Sequence, residues 1–361
     1  MARALELARQ GIALAHPNPM VGAVIVQNGR VVGEGFHTYA GRRHAEVIAI
    51  EKAGRAARGA TLYVNLEPCC HAGRTGPCTD ASLAAGIRRV VAAMTDPNRA
   101  VAGRGFARLR RGGVKISARV REAEAQRLNE AFAKWIRTGK PLIMQKTALT
   151  LDGRIAVPNG SVTWITSRES REEVQRLRHA ADALMTGVDT VLADDPRLTD
   201  RTGLPRRRPL LRIILDSRLR MPLQSKLVKG TQGDVLIFTT RPEDSPRARA
   251  LRRAGVEVVR VRARRGHVDL AKVAGELGRR EILSVLLEAG ATLNGAALEA
   301  GIVDKVILFF APKFIGDEGV PAVRGNWRAL ARLPALTGLT LRHFGPDFCV
   351  EGYFRHVYRN R

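Results

Sequence analysis

Two α/β domains in tandem are predicted for this chain, on three observations. Its 361 residues exceed the size of one ordinary domain. Apolar residues make up 45% of the composition, enough for two cores. Short β-branched runs alternate with amphipathic helical stretches on both sides of a Thr138-Gly139-Lys140-Pro141 break, which sets domains of residues 1–141 and 142–361.

The elements of the first domain follow in order. The opening MARALELARQGIALA is amphipathic with Glu6 inside it and reads as a helix to about Ala15, not as a secretory signal. A His16-Pro17-Asn18-Pro19 turn leads to a strand from Val21 to Gln27, and Asn28-Gly29 turns the chain into a second strand from Val31. Next come a helix from Ala45 to Ala53, a strand from Thr61 to Leu66, a Cys-rich loop, a helix over Ala81 to Ala85 and a strand over Val90 to Met94. Helices around Gly105 to Arg111 and from Glu122 to Arg137 complete it. Beyond the break, strands are expected at Leu142–Thr147, Ala183–Thr186, Arg212–Asp216, Val235–Thr239, Val256–Arg260, Ser284–Leu287 and Lys305–Ala311. Helices are expected at Ser167–His179, Leu270–Leu277 and Leu293–Ala300. Such alternation implies mostly parallel sheets covered on both faces.

The formal charge of +26 invites a nucleic-acid partner, but it divides evenly. There are 23 basic and 10 acidic residues up to Lys140, and 37 and 24 after it, with no basic tail. Arginine supplies 50 of the 60 cations and aromatics only 5% of residues, so the excess reads as a compositional bias with few stacking platforms. No nucleic-acid or membrane partner is therefore expected. No run approaches eighteen apolar residues. Cys69, Cys70 and Cys78 lie within ten residues and Cys349 is alone, which suits a metal site in a reducing, cytoplasmic compartment better than disulfides.

His44-Ala45-Glu46 opens a predicted helix, Pro68-Cys69 follows a predicted strand, and Cys78 comes later. One imidazole and two thiolates form a zinc set that leaves the fourth tetrahedral position to water. Glu46, two residues after His44, can reach that water without being a ligand and can carry its proton to departing ammonia. An H-x-E followed by P-C-x-x-C marks zinc nucleobase deaminases. Here eight residues, not two, separate Cys69 from Cys78. Cys70 and His71 are rival ligands: adjacent residues rarely project into one tetrahedral site, and a fourth protein ligand would make the zinc purely structural.

The stretch from Leu66 to Cys78 (LEPCCHAGRTGPC) resembles the extended loop of the bifunctional pyrimidine deaminase and reductase of riboflavin biosynthesis. So do His16–Gly22 (HPNPMVG) and Gly35–Gly41 (GFHTYAG). The resemblance implies a cytidine-deaminase-like three-layer domain with one zinc on His44, Cys69 and Cys78, and with Glu46 as proton shuttle. It also implies substrate contacts from Asn18, His37, His71 and Arg74.

In the second domain no G-x-G-x-x-G follows a first strand. Glu288 to Gly295 (EAGATLNG) does feed a strand through glycine into a helix, whose N-terminus can hold a phosphate. Lys146-Thr147-Ala148, Leu151–Arg154 (LDGR), Trp164–Ser167 (WITS) and Thr190–Thr199 (TVLADDPRLT) resemble the reductase half of the same family. The resemblance implies a dihydrofolate-reductase-like domain that binds NADPH through Ala148, Trp164, Thr190, Asp194, Ser217 and the loop of Gly290, Ala291, Thr292, Leu293, Asn294, Gly295 and Ala296. It places Arg178, Leu198, Arg201 and Glu288 on the phosphoribosyl substrate, and self-association is expected with it. Guanidinium forks suit a sugar phosphate. Lys146 and Glu288 are the candidates for delivering the proton that reduction at C1′ needs. Where the family often has a substrate-binding serine this chain has Val162, with Ser161 before it.

Two other readings share parts of this pattern. An RNA-editing deaminase with an RNA-binding second module would use the same zinc chemistry and the positive charge. A zinc-stabilised scaffold would leave Glu46 without a role.

Overall fold

The computed structural model describes residues 1–71, 76–157 and 164–358. Contacts divide the chain after Gly139 into two compact units, with the short segment Pro205–Arg208 grouped with the first.

The first unit contains α1 (Ala2–Arg9), β1 (Gly22–Gln27), β2 (Arg30–Phe36), α2 (Ala45–Ala53), β3 (Thr61–Val64) and α3 (Cys78–Ala84). It continues with β4 (Arg89–Ala92), α4 (Arg104–Arg111), β5 (Lys115–Ser117), α5 (Glu122–Leu128) and α6 (Glu130–Thr138). The sheet order is β2-β1-β3-β4-β5. Asn28 and Gly29, at φ 50° and 75°, close the expected hairpin. That hairpin makes β1 antiparallel to β2, and β1 is antiparallel to β3 as well. Only β3, β4 and β5 run parallel, so the mostly parallel sheet expected here is in fact mixed.

Three local departures matter for the site. Helix α1 stops at Arg9 rather than near Ala15, because the chain turns through Ala13 at φ 58°. Helix α3 begins at Cys78 rather than Ala81, with Pro77 as its extended N-cap. The single helix expected over Glu122–Arg137 is broken at Asn129, at φ −106° and ψ 19°. Its side chain accepts from Met20 N at 2.8 Å and donates to Met20 O at 3.0 Å, both within the buried interior.

Close backbone approach sets the position of α2. A Cβ on Gly35 of β2 would lie 2.5 Å from the Ala45 carbonyl oxygen, so only glycine lets this helix lie so near the sheet. Gly105 has the same function beside the cysteine loop, where a Cβ would lie 2.1 Å from Pro68 O. Gly105→Ala is therefore expected to cost about 1–3 kcal/mol through forced backbone movement, seen as a lower urea midpoint at unchanged slope.

The second unit begins with β6 (Leu142–Thr150), β7 (Arg154–Ala156), α7 (Arg168–Ala180), β8 (Ala183–Gly187), α8 (Val188–Asp194) and β9 (Leu211–Leu215). After α9 (Lys226–Lys229) come β10 (Val235–Thr239), α10 (Pro246–Arg253), β11 (Glu257–Arg260), β12 (Ala263–Arg264), β13 (His267–Val268) and α11 (Leu270–Arg279). The last elements are β14 (Ser284–Leu287), α12 (Ala291–Glu299), β15 (Lys305–Ala311), β16 (Val320–Pro321), α13 (Trp327–Leu330), β17 (Thr337–Phe344) and β18 (Asp347–Tyr353). Nine strands form one sheet in the order β11-β10-β9-β8-β14-β6-β15-β18-β17. It is parallel from β11 to β15 and antiparallel through β18 and β17.

Alternate strand residues go to opposite faces. Met185, Ile213, Phe238 and Leu287 pack with Leu277, Ala297 and Leu298 of α11 and α12. Leu184, Ile214, Ile237 and Leu286 pack on the other face with Val191, Leu227 and Leu251. The helix expected at Leu293 starts two residues earlier, at Ala291. The parallel strands send their carboxyl ends to one edge of the sheet, where open α/β sheets bind ligands. Gly187, Ser217 and Glu288 stand at or just beyond the ends of β8, β9 and β14.

Candidate active sites

In the first unit the residue before α2, the loop after β3 and the start of α3 converge. His44 is the extended N-cap residue of α2, and Cys78 opens α3. His44 Nδ1 lies 3.0 Å from Cys78 Sγ and 3.5 Å from Cys69 Sγ. The three donor atoms all lie within 4.8 Å of one another, and this is the metal-capable group of three among the described residues. Neither Cys70 nor His71 belongs to it. Hydrogen bonds from Cys78 and His44 pull the Cys69 thiol down to about 4, which favours the thiolate a metal needs. A soft-borderline nitrogen and sulfur set of this size fits zinc with a position to spare.

Glu46 sits in the first turn of α2, 4% exposed. Burial raises its carboxyl above the ordinary range, as suits a group that must hold a proton for part of a cycle. His37 is buried and held down by that burial, hence neutral. Its Nδ1 donates to Arg43 O at 2.8 Å, which leaves Nε2 to accept from Asn18 Nδ2 at 3.0 Å. The His37 ring stands edge-on to His44, 5.4 Å between centroids. The fold thus brings Asn18, His37, His44, Glu46, Cys69 and Cys78 together, whereas His71 is exposed. Arg74 lies outside the described residues, as do Ser161 and Val162.

Sequence reasoning passed over the groups that hold these side chains in place. Glu67 is 2% exposed and accepts backbone N–H groups from Asp96, Gly103 and Phe106, so it pins the 96–106 segment to the cysteine loop. Asn65 accepts from Gly22 N and donates to Met20 O, which with Asn129 fixes the chain just after Asn18. Asp96 is pushed up to about 6, first by burial and then by the nearby Glu67. The sequence carried no signal for these residues: Asn65 and Glu67 fall on the polar phase of the Leu62, Val64, Leu66 alternation, and only the fold buries them.

In the second unit Lys146 of β6, Glu288 after β14 and Arg178 of α7 form one buried cluster. Arg178 makes a two-pronged pair with Glu288 at 2.8 and 3.0 Å and donates its third group to Thr199 O at 3.0 Å. Its fork is therefore directed at Glu288. Lys146 Nζ lies 3.8 Å from Glu288. Burial opposes ionisation of Glu288, but Lys146 and Arg178 outweigh it and hold the carboxyl below its ordinary range. Burial lowers the Lys146 ammonium from its ordinary 10.5. Leu198 is buried at φ 51°, a strained position for leucine between two residues whose carbonyls bind Arg212 and Arg178. Arg201 is exposed, with its backbone N–H on Gln175.

A cavity of about 670 Å³ lies at the ends of β8 and β9. Of the expected cofactor residues, Ser217, Thr292, Leu293 and Ala296 line it. Ala148, Thr190, Asp194, Gly290, Ala291, Asn294 and Gly295 do not, and Trp164 is 61% exposed beside Arg171. The N-terminus of α12 has no side-chain cap and Gly290 has open space above it, so its N–H groups are available to a phosphate. Buried Asn294 Oδ1, Thr147 Oγ1 and Gln145 Oε1 also lack partners among the described residues, and they lie on the two elements expected to hold a nicotinamide nucleotide. Gly295 serves packing instead, since a Cβ there would collide with Arg324 O.

The family profile described as "RibD C-terminal domain" matches residues 141–350, more than half of the chain. The chain belongs to the RibD family. A second profile, the zinc-binding region of cytidine and deoxycytidylate deaminases, matches residues 1–94. The riboflavin biosynthesis protein RibD of Escherichia coli is 44% identical, the match spanning 97% of each chain. Among solved structures, Acinetobacter baumannii RibD superposes with a TM-score of 0.86 at 36% identity, over 98% of this chain and 97% of that one. A Thermotoga maritima diaminohydroxyphosphoribosylaminopyrimidine deaminase/5-amino-6-(5-phosphoribosylamino)uracil reductase does so at 0.84 and 34%, with the same coverage. The fold is thus a cytidine-deaminase-like domain followed by a RibD reductase domain, and the chain is a bifunctional deaminase and reductase of riboflavin biosynthesis. The match over residues 141–350 disfavours an RNA-binding second module. Among the described residues no helix is long and apolar enough to cross a membrane.

Proposed function

We propose that the first domain hydrolyses the 2-amino group of 2,5-diamino-6-(5-phosphoribosylamino)pyrimidin-4(3H)-one. The second then reduces the ribosyl group of 5-amino-6-(5-phosphoribosylamino)uracil to ribityl with NADPH. The observation that carries this reading is that one chain holds both the His44, Cys69 and Cys78 cluster beside a buried Glu46 and the Lys146, Glu288 and Arg178 cluster.

His44, Cys69 and Cys78 would hold one zinc, which when bound would supply the Lewis acidity that makes water nucleophilic near neutral pH. Glu46 takes the proton from water and returns it to the leaving ammonia. Neutral His37 accepts from the Asn18 amide N–H, which leaves Asn18 Oδ1 as the acceptor for a pyrimidine N–H. In the second domain NADPH, when bound, supplies the hydride. The proton passes from Lys146 to the sugar oxygen freed as the ring opens, because Glu288 is held as a carboxylate and has none to give. Arg178 positions Glu288, which leaves the exposed Arg201 for the sugar phosphate. The reading includes a cytoplasmic setting, consistent with thiolate ligands, and self-association. The uncovered strand β17, with Leu339 and Leu341 each 60% exposed, supports the latter.

Zinc content, ammonia release and NADPH consumption on the diaminopyrimidine phosphate test both halves together. About one zinc per chain and equal yields of ammonia and oxidised NADPH are expected. Ammonia without NADPH consumption would remove the reductase half; a zinc-replete chain that releases no ammonia would remove the other.

A further inference from the structure

Three residues on one face of α7 hold three consecutive residues of the loop that follows α8. Gln175, Arg178 and His179 stand at i, i+3 and i+4 of that helix. Arg178 Nη1 donates to Thr199 O at 3.0 Å, His179 Nδ1 donates to Asp200 Oδ2 at 2.9 Å, and Gln175 Oε1 accepts from Arg201 N at 3.0 Å. The other oxygen of Asp200 accepts from Thr202 N and Thr202 Oγ1 at 3.0 and 2.8 Å, which closes the turn around Arg201. The side chains of His179 and Asp200 are each 8% exposed. Burial opposes the Asp200 carboxylate, but the bonds from Thr202 and His179 outweigh it and hold the group below its ordinary range.

A buried histidine–aspartate pair is ordinarily a stability element, and the reaction as described uses neither residue. The position of this pair gives it a second role. Arg201, the next residue, is exposed, and among the described residues its guanidinium makes no hydrogen bond or ion pair. Burial opposes the Glu288 carboxylate, and Lys146, Arg178 and then Arg201 counter it, so the charge of Arg201 reaches the catalytic cluster. Leu198, at φ 51°, brings the chain into this segment in a conformation that an unsupported loop would not keep. A long side chain binds a phosphate selectively when its backbone is already fixed, because ordering both on binding costs conformational entropy.

We infer that His179 and Asp200 are positioning residues of the reductase: by holding residues 199–201 on α7 they aim the Arg201 guanidinium, and so make the domain prefer a phosphorylated ribosyl substrate to its dephosphorylated counterpart. This rests on the reductase reading above. The test is the rate of NADPH oxidation by the intact zinc-loaded chain on 5-amino-6-(5-phosphoribosylamino)uracil and on the same compound without its phosphate. His179→Leu is expected to lower kcat/KM for the phosphorylated substrate roughly 10- to 100-fold, through KM, and to leave the dephosphorylated one within about threefold. In an Arg201→Gln background the same change should cost nothing further. His179→Asn, whose amide nitrogen stands where Nδ1 does, should restore the preference. Equal losses on both substrates, an undiminished loss in the Arg201→Gln background, no rescue by asparagine or no change at all would each reduce the pair to a stability element and overturn the assignment. Should His179→Leu lose its affinity for NADPH, and with it the fold, Gln175→Ala decides instead: it removes the support of Arg201 N, suits the helix, and is expected to show the same selective loss. A parent chain that oxidises NADPH on neither substrate would remove the reductase reading, and the assignment with it.

Discussion

Glu46→Gln is expected to lower ammonia release by about 10²- to 10⁴-fold, the usual contribution of a positioned acid–base group. Glutamine keeps the volume of this buried position, and Glu46 is not among the three clustered donors, so zinc content should be unchanged. NADPH oxidation on supplied 5-amino-6-(5-phosphoribosylamino)uracil should persist at the parental rate. If both activities fell together, the two sites could not be independent. If ammonia release survived, Glu46 would be a helix-start carboxylate and nothing more.

The second large effect is expected at Lys146. Lys146→Met should reduce reductase turnover by roughly 10²- to 10⁴-fold and leave ammonia release untouched. Glu288 still has its two-pronged partner Arg178, so gross unfolding is not expected. The proton donor must be in its acid form, and burial has lowered the ammonium from 10.5. Reductase kcat/KM in the parent should therefore decline as pH rises, with the decline starting below that value. Lys146→Arg separates charge from proton delivery, because a guanidinium keeps the charge and does not release its proton in this range. Full rescue by arginine would show that Lys146 only balances Glu288.

Much of the first site could be read from the chain, because local spacing determines it. His44 and Glu46 open one helix, Cys78 opens another, and the Asn28–Gly29 turn sets the hairpin beside them. Residues whose function depends on distant partners gave weaker signals. Arg178 looked like a phosphate ligand, and only the fold shows its fork on a carboxylate 110 positions away. The break at Asn129 was hidden by an uninterrupted helical pattern, since what opposes the helix is a pair of hydrogen bonds to Met20. Strand β17 was missed because only Leu339-Thr340-Leu341-Arg342 alternates within it, a short run whose residues are all exposed. The charge excess was a poor guide to partners for a related reason. Arg212, for example, is 4% exposed and serves the interior, bonded to Asp234 and two carbonyl oxygens.

The Asn129 clamp also limits how the two catalytic halves can be separated. The deaminase signature ends at residue 94, and a cut there would look natural from motifs alone. Such a fragment would keep the His44, Cys69 and Cys78 cluster but lose the partners of Glu67 at Gly103 and Phe106 and the amide that holds the Met20 backbone. A free-standing deaminase must therefore run through α6. The segment between the last recognisable motif and the second domain is part of the first enzyme rather than a tether between two.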